Sequence, residues 1–309
     1  METDNFWVKA GKTTRYYAAN FSRIVRGTRW KVAKPSVEKP IFVVGCSRAG
    51  TTLVYKTFSE CRKLGSLQRE THDFWATLHP PSERNWDTHA IDPCMAAPQD
   101  RDFVARYFFV HTGKRRFVDK NNQNGLSIPY LRQLFPDAVF VYVKRSPGDN
   151  LHSLMEGWKR ADEFATWSNT LPVEVAIEQG RFTRWCFFLA EGWRDYVNAS
   201  LEEVCAFQYR TMNEAILEAK EQIPPDQWID IVYEELLNDP VTGFADAFAK
   251  AGLSFDEHMR RHCATVLAKP YNAFSEIRAS KWRDKENRER IESTLSDVAD
   301  VAQRMGYEL

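Results

Sequence analysis

The sequence predicts an α/β protein built on a P-loop-like parallel β-sheet flanked by helices on both faces, in a single domain with helical insertions. Three observations carry this expectation. Two short runs rich in β-branched and aromatic residues, Ile41-Phe42-Val43-Val44 and Ala138-Val139-Phe140-Val141-Tyr142-Val143, read as strands buried on both faces. Each is followed by a glycine-containing loop and then by a segment with helical spacing. Further strand and helix candidates alternate along the chain, and repeated βα alternation implies a parallel sheet.

Composition agrees with this class. The 309 residues hold 42 Lys and Arg against 42 Asp and Glu, and are 43% hydrophobic and 27% charged, with a mean hydropathy of −0.50. Such a chain is soluble and can bury a substantial core. No apolar run approaches the ~18 residues of a spanning helix, and the N-terminus lacks the apolar region of a secretory signal. A formal charge of zero argues against a nucleic-acid partner, which is held by summed positive charge. Cys46, Cys61, Cys94, Cys186, Cys205 and Cys263 form no CxxC pair, so reduced thiols in a cytoplasmic protein are expected. His258 and His262 sit four apart without the glutamate of HExxH, and no metal is expected. Nothing in the pattern specifies an oligomeric state.

Taken in order, residues 1–38 read as a basic aromatic arm and residues 39–309 as the domain. Residues 1–34 hold eight Lys and Arg against Glu2 and Asp4, together with Phe6, Trp7, Tyr16, Tyr17, Phe21 and Trp30. This mixture either rests on an anionic membrane surface or forms a helix that packs its aromatics on the body, and the second arrangement is the commoner. Pro40 leads into the first strand, and a helix is expected after the first loop from Leu53 to about Gly65. Arg116-Phe117-Val118 is a strand candidate, Ile128, Leu131 and Leu134 have helical spacing, and Asp149 is the expected N-cap of the helix containing Leu151, Leu154 and Met155. Val204-Cys205-Ala206-Phe207 and Trp228 to Tyr233 read as two more strands, while Phe244 to Ala251, Phe255 to Leu267 and Asn287 to Met305 read as helices. Aromatic-rich insertions at 72–112 and 156–200 are expected to cap the carboxyl ends of the strands, where parallel sheets bind ligands.

The first loop carries the chemistry. Gly45 and Gly50 have P-loop spacing, which wraps backbone N–H groups around a phosphate at a helix N-terminus. Thr51 and Thr52 stand where a nucleotide triphosphatase places Lys and Ser or Thr, and the cation has moved to Arg48. Anion capture is kept, but the lysine that neutralises β- and γ-phosphates is lost. No later strand ends in an obvious acidic cluster for magnesium, which phosphoryl transfer usually requires. A donor whose transferred group carries less charge fits better, and 3′-phosphoadenosine 5′-phosphosulfate (PAPS) is such a donor. Its 3′-phosphate needs a second anion site, which Arg145, Pro147 and Ser153 supply after the second strand.

The stretches PIFVVGCSRAGTT and VKRSPGDNLHS resemble the 5′-phosphosulfate and 3′-phosphate motifs of the PAPS-dependent sulfotransferase family, in particular its bacterial branch and the tyrosylprotein sulfotransferases. Glu70-Thr71, Lys120-Asn121, Val232 to Leu236 and Ser280-Lys281-Trp282 follow in the family's order, so the similarity spans about 40 to 285. The resemblance implies that Arg48, Ala49, Gly50, Thr51 and Thr52 hold the 5′-phosphosulfate and that Arg145 and Ser153 hold the 3′-phosphate. It also implies that Tyr233, Ser280, Lys281 and Trp282 help hold the nucleotide, with Trp282 stacking on adenine or packing in the core. Glu70 is implied as the general base that deprotonates an acceptor hydroxyl, with His72 as the alternative, while Arg48, Lys120 and Ser280 stabilise the transferring group. A further arginine implied one turn beyond Ser153 is missing, since Gly157 and Trp158 stand there. The products would be adenosine 3′,5′-bisphosphate (PAP) and a sulfate ester of a small molecule, carbohydrate or lipid. Two rival readings stay open: a P-loop kinase of a small metabolite using Mg-ATP, and a noncatalytic nucleotide-binding module.

Overall fold

The computed structural model describes residues 2–268 and 278–309, with side chains from residue 17 onward. Strands β1 (Ile41–Val44), β2 (Val118–Lys120), β3 (Val139–Lys144) and β4 (Trp228–Val232) form one sheet in the order β2-β1-β3-β4, with every neighbouring pair parallel. Helices α1 (Glu2–Ala33), α2 (Thr51–Ser59), α3 (His72–Leu78), α4 (Pro98–Thr112), α5 (Ile128–Leu134) and α6 (Pro147–Trp158) come first. The single turns α7 (Ala161–Phe164) and α8 (Ile177–Gly180) lead to the long α9 (Leu201–Lys220). After β4 come α10 (Tyr233–Asn238), α11 (Pro240–Lys250), α12 (Glu257–Thr265), α13 (Arg288–Thr294) and α14 (Ala299–Arg304).

Alternation along the strands divides the core into two apolar layers. Phe42, Val44, Phe140 and Tyr142 point into a layer with α4, α5, α6 and α9. Ile41, Val43, Val139, Val141 and Val143 point into the other, with α2, α10, α11 and α12. Helices therefore cover both faces, which is why these strands are apolar throughout rather than alternating. The six cysteines are free thiols, and among the described residues no helix is long and apolar enough to cross a membrane.

Several expectations are corrected. Val204 to Phe207 is not a strand but lies inside α9, which Ser200 opens by accepting from the Glu203 amide while the Glu203 side chain caps back onto Ser200. Its four-residue apolar run matched a strand because this part of α9 is buried on several sides, and periodicity is lost there. Helix α2 ends at Ser59 rather than near Gly65, and the turn that follows brings Gly65 into a parallel bridge with Phe117 at the edge of the sheet. The strand expected at Arg116 to Val118 is Val118–Lys120. Asp149 is not the N-cap of α6: Ser146 is, because Pro147 takes the first helical position, where its missing N–H costs nothing. The C-terminal helix is broken into α13, a 3₁₀ turn at Leu295–Val298 and α14.

Candidate active site

The carboxyl ends of all four strands open on a cavity of about 410 Å³. Ser47 and Arg48 line it after β1, Lys120 is the last residue of β2, Arg145 follows β3, and Tyr233 follows β4. Gly50, Thr51, Thr52, Glu70, Ser153 and Lys281 complete the polar wall.

The loop after β1 needs its glycines. Gly50 caps α2 with φ of +101°, and a Cβ there would lie 2.4 Å from the Tyr233 ring. Gly45 has φ of +153°, and a Cβ there would lie 2.7 Å from the Val143 carbonyl. The second motif fastens this loop through its carbonyls, with Arg145 Nη1 donating to the Arg48 oxygen at 2.7 Å and Asn150 Nδ2 to the Ser47 oxygen at 2.9 Å. The first amides of α2, which have no intrahelical acceptor, are left at the cavity.

Arg48 lies over the Phe164 ring at 5.3 Å, and Arg145 over the Tyr233 ring at 4.8 Å. Burial and then the charge of Arg145 bring the Arg48 guanidinium down to about 10. The same two causes bring the Lys281 ammonium down to about 8. Arg48, Arg145 and Lys281 thus crowd positive charge onto one cavity, where Arg145 disfavours the charged forms of the other two. His152, the residue before Ser153, is buried at the same wall with Nδ1 lacking a hydrogen-bond partner among the described residues, and burial and Lys281 hold its imidazole below the ordinary histidine value.

Glu70 and Lys120 meet at another part of the wall. Lys120 Nζ lies 2.5 Å from Glu70 Oε1, the Thr52 hydroxyl donates to the same oxygen at 3.4 Å, and His72 Nδ1 stands 3.9 Å from Oε2. Burial alone would raise the Glu70 carboxyl, but Lys120, His72 and Thr52 together outweigh it and hold the group below its ordinary value. The pair is positioned from beneath by Asp119, which is fully buried and accepts from Thr71 Oγ1 at 2.7 Å, Trp75 Nε1 at 2.9 Å and Asn124 Nδ2 at 3.1 Å. Asp119 thus ties the Glu70 loop to the end of β2.

The remaining expected site residues lie elsewhere. Ala49 is buried in the core with its amide donating to Cys46 at 3.1 Å. Ser280 is exposed and is not among the residues lining the cavity, and its amide donates to Asp149 Oδ2 at 2.5 Å. Trp282 is 6% exposed and part of the core, held against the first turn of α6, where a Cβ on Gly148 would lie 2.3 Å from its ring. Arg283 covers the Trp282 ring at 4.8 Å.

Sequence reasoning missed Asn122, His152, Glu156 and Phe164, all at the wall. Asn122 Nδ2 donates to the Phe187 carbonyl at 2.9 Å, pinning the aromatic insertion to the end of β2. Phe187 also accounts for Gly157, since a Cβ there would lie 2.5 Å from its ring. Two of the four were within reach of the motifs, because Asn122 and His152 adjoin Lys120-Asn121 and Ser153.

Residues 40–186 match the sulfotransferase family model. No curated protein matches the chain. Among solved structures, the chain is similar to sulfotransferase STF9 from Mycobacterium avium, with 14% identity, coverage of 92% of this chain and 82% of that one, and a TM-score of 0.55. It is also similar to a sulfotransferase from Alicyclobacillus acidocaldarius, at 17% identity, 88% and 98% coverage, and a TM-score of 0.51. The sulfotransferase domain of a Synechococcus olefin synthase follows at 17% identity, 89% and 96% coverage, and a TM-score of 0.50. At such identities these structures establish the fold alone.

Proposed function

We propose, from the match of residues 40–186 to the sulfotransferase family model and the fold shared with solved sulfotransferases, that the chain transfers the sulfuryl group of PAPS to a hydroxyl with Glu70 as general base. One observation carries the reading. Arg48, Arg145 and Lys281 converge with the N-terminus of α2 on the same cavity that holds the Glu70–Lys120 pair. On this reading residues 39–309 form the transferase domain and residues 1–38 an arm laid against it.

PAPS, when bound, supplies a sulfuryl group on an activated phosphate oxygen. Gly50, Thr51 and Thr52 offer amides and hydroxyls to the 5′ end, and Arg145, Ser153 and Lys281 offer positive charge and a hydroxyl to the 3′-phosphate. Negative charge there restores the depressed cations, so binding and protonation favour each other. Tyr233 fills the space between the two motifs, packed on Gly50 and under Arg145.

In the chemical step, the acceptor oxygen bonds to sulfur as the bond from sulfur to the leaving phosphate oxygen breaks. The electron pair leaves with PAP, and the hydroxyl proton goes to Glu70. Ionised Glu70 is ready to accept it, yet while paired to Lys120 it is a weak base. Charge arriving at the cavity draws the Lys120 ammonium toward the sulfuryl oxygens and leaves the carboxylate more basic when it is needed. Arg48 stabilises the charge that grows on the leaving oxygen. Phe164 and Phe187 give the acceptor end an apolar wall, suited to a partly apolar alcohol.

The test is incubation of the purified chain with radiolabelled PAPS and a panel of hydroxylated small molecules, carbohydrates and lipids. Transfer from PAPS in the wild type that is lost in Glu70→Gln is the expected result. Turnover with Mg-ATP in place of PAPS would overturn it in favour of a kinase.

A further inference from the structure

Helix α1 presents two unlike faces. One is docked: Trp30 is buried against Phe109 with ring centroids 5.8 Å apart, and Arg26 Nη1 donates to the His111 carbonyl at 3.0 Å, both on α4. Lys34 extends the contact to Asp102 at 3.0 Å. At about 100° per residue, Phe21, Ile24, Val25 and Val32 fall within about 100° of arc on the side opposite Trp30 and Arg26. They are 68%, 67%, 51% and 85% exposed, respectively. Soluble surfaces scatter single apolar residues, but here four share one stripe about 16 Å long.

The charge around the stripe identifies what covers it. Between Asp4 and Glu38 the sequence holds eight Lys and Arg and no acid. Lys31 stands at one edge of the stripe and Arg29 at the other, and both are exposed. A second copy of α1 packed face to face would bring these basic edges together, and the repulsion opposes it. An anionic lipid surface meets both requirements at once, taking the apolar stripe into the acyl boundary and the basic edges into the headgroups. We infer that α1 lies along an anionic membrane surface through Phe21, Ile24, Val25 and Val32, with its Trp30 face kept on the protein body. This inference is independent of the reaction proposed above.

The test is cosedimentation of the full chain with vesicles of phosphatidylcholine alone and of phosphatidylcholine with a third phosphatidylglycerol. Binding to the anionic vesicles, weakening as salt rises, is expected. The double substitution Phe21→Ser with Ile24→Ser should lower partitioning roughly tenfold or more. Arg29→Glu with Lys31→Glu should act likewise while leaving the stripe intact. Circular dichroism and PAP calorimetry check that both variants stay folded, since all four positions are exposed. Absence of binding to anionic vesicles, or equal binding to neutral ones, would overturn the inference. So would concentration-dependent self-association that the Phe21 and Ile24 substitutions abolish, which would assign the stripe to a second copy.

Discussion

Replacement of Arg145 by Met removes one charge from the proposed nucleotide site while keeping most of the buried stem. Arg145 is 6% exposed, donates to the Arg48 carbonyl at 2.7 Å and covers the Tyr233 ring. Without ligand, losing the bond to Arg48 costs about 0.5–1.5 kcal/mol. Relief of the repulsion that depresses Arg48 and Lys281 offsets part of that cost. With ligand, each charge-assisted bond to a 3′-phosphate contributes about 1.5–3 kcal/mol, or roughly 10- to 150-fold in affinity. The loosened glycine loop weakens any 5′-phosphate by at most about 12-fold, from the bond it loses. Calorimetry with adenosine 3′,5′-bisphosphate and adenosine 5′-monophosphate separates the two effects. The ratio of the two affinities should fall roughly 10- to 150-fold in Arg145→Met. A ratio unchanged from wild type, with both ligands weakened equally, would refute the assignment of Arg145 to the 3′-phosphate.

Other outcomes follow from the same geometry. Glu70→Gln should lower turnover ~10²–10⁴-fold with PAP affinity retained. Because Lys120 and its neighbours hold Glu70 below its ordinary value, the acid limb of kcat/KM for wild type should lie below the usual carboxylate range, and a limb above that range would count against Glu70 as the base. Lys281, brought down to about 8, contributes its charge to ligand binding below that pH and loses it above, so PAP affinity should fall as pH rises through about 8. The inflection should vanish in Lys281→Gln, and its persistence there would place the titrating group elsewhere. Asp119→Ala strands three buried donors at about 1–3 kcal/mol each, so urea denaturation should show a loss of at least about 3 kcal/mol. Gly50→Ala, with a left-handed backbone and the Tyr233 ring 2.4 Å from the new Cβ, should weaken PAP binding and stability together, by about 1–3 kcal/mol in stability.

The sheet and the two loops that line the cavity were legible because their signals are local. Ile41 to Val44 and Val139 to Val143 are apolar on both faces only because helices cover both sides, and each runs directly into a loop at the cavity. The helix α9 was not legible, since a buried helix surrounded by core loses the polar side that reveals its period. Asp149 looked like a helix cap but spends its carboxylate on the Ser280 and Trp282 amides, a contact 131 or more positions away that no local pattern encodes. The same distance hides the apolar wall of the cavity: Phe164 and Phe187 reach it through a loop pinned by Asn122, and nothing in their own neighbourhood marks them apart from the other aromatics of that insertion. Glu70 lies in a polar stretch that reads as surface, and only the resemblance singled it out. In the fold it is partly buried beside Lys120 because Asp119 draws Thr71 inward.

Titration calorimetry of the wild-type chain with PAP, and separately with Mg-ATP, tests the central claim most directly. A site built from two anion cradles for one bisphosphorylated nucleoside should bind PAP at least about tenfold more tightly than Mg-ATP, the advantage of roughly one charge-assisted contact. Tight binding of Mg-ATP with no heat from PAP would contradict it.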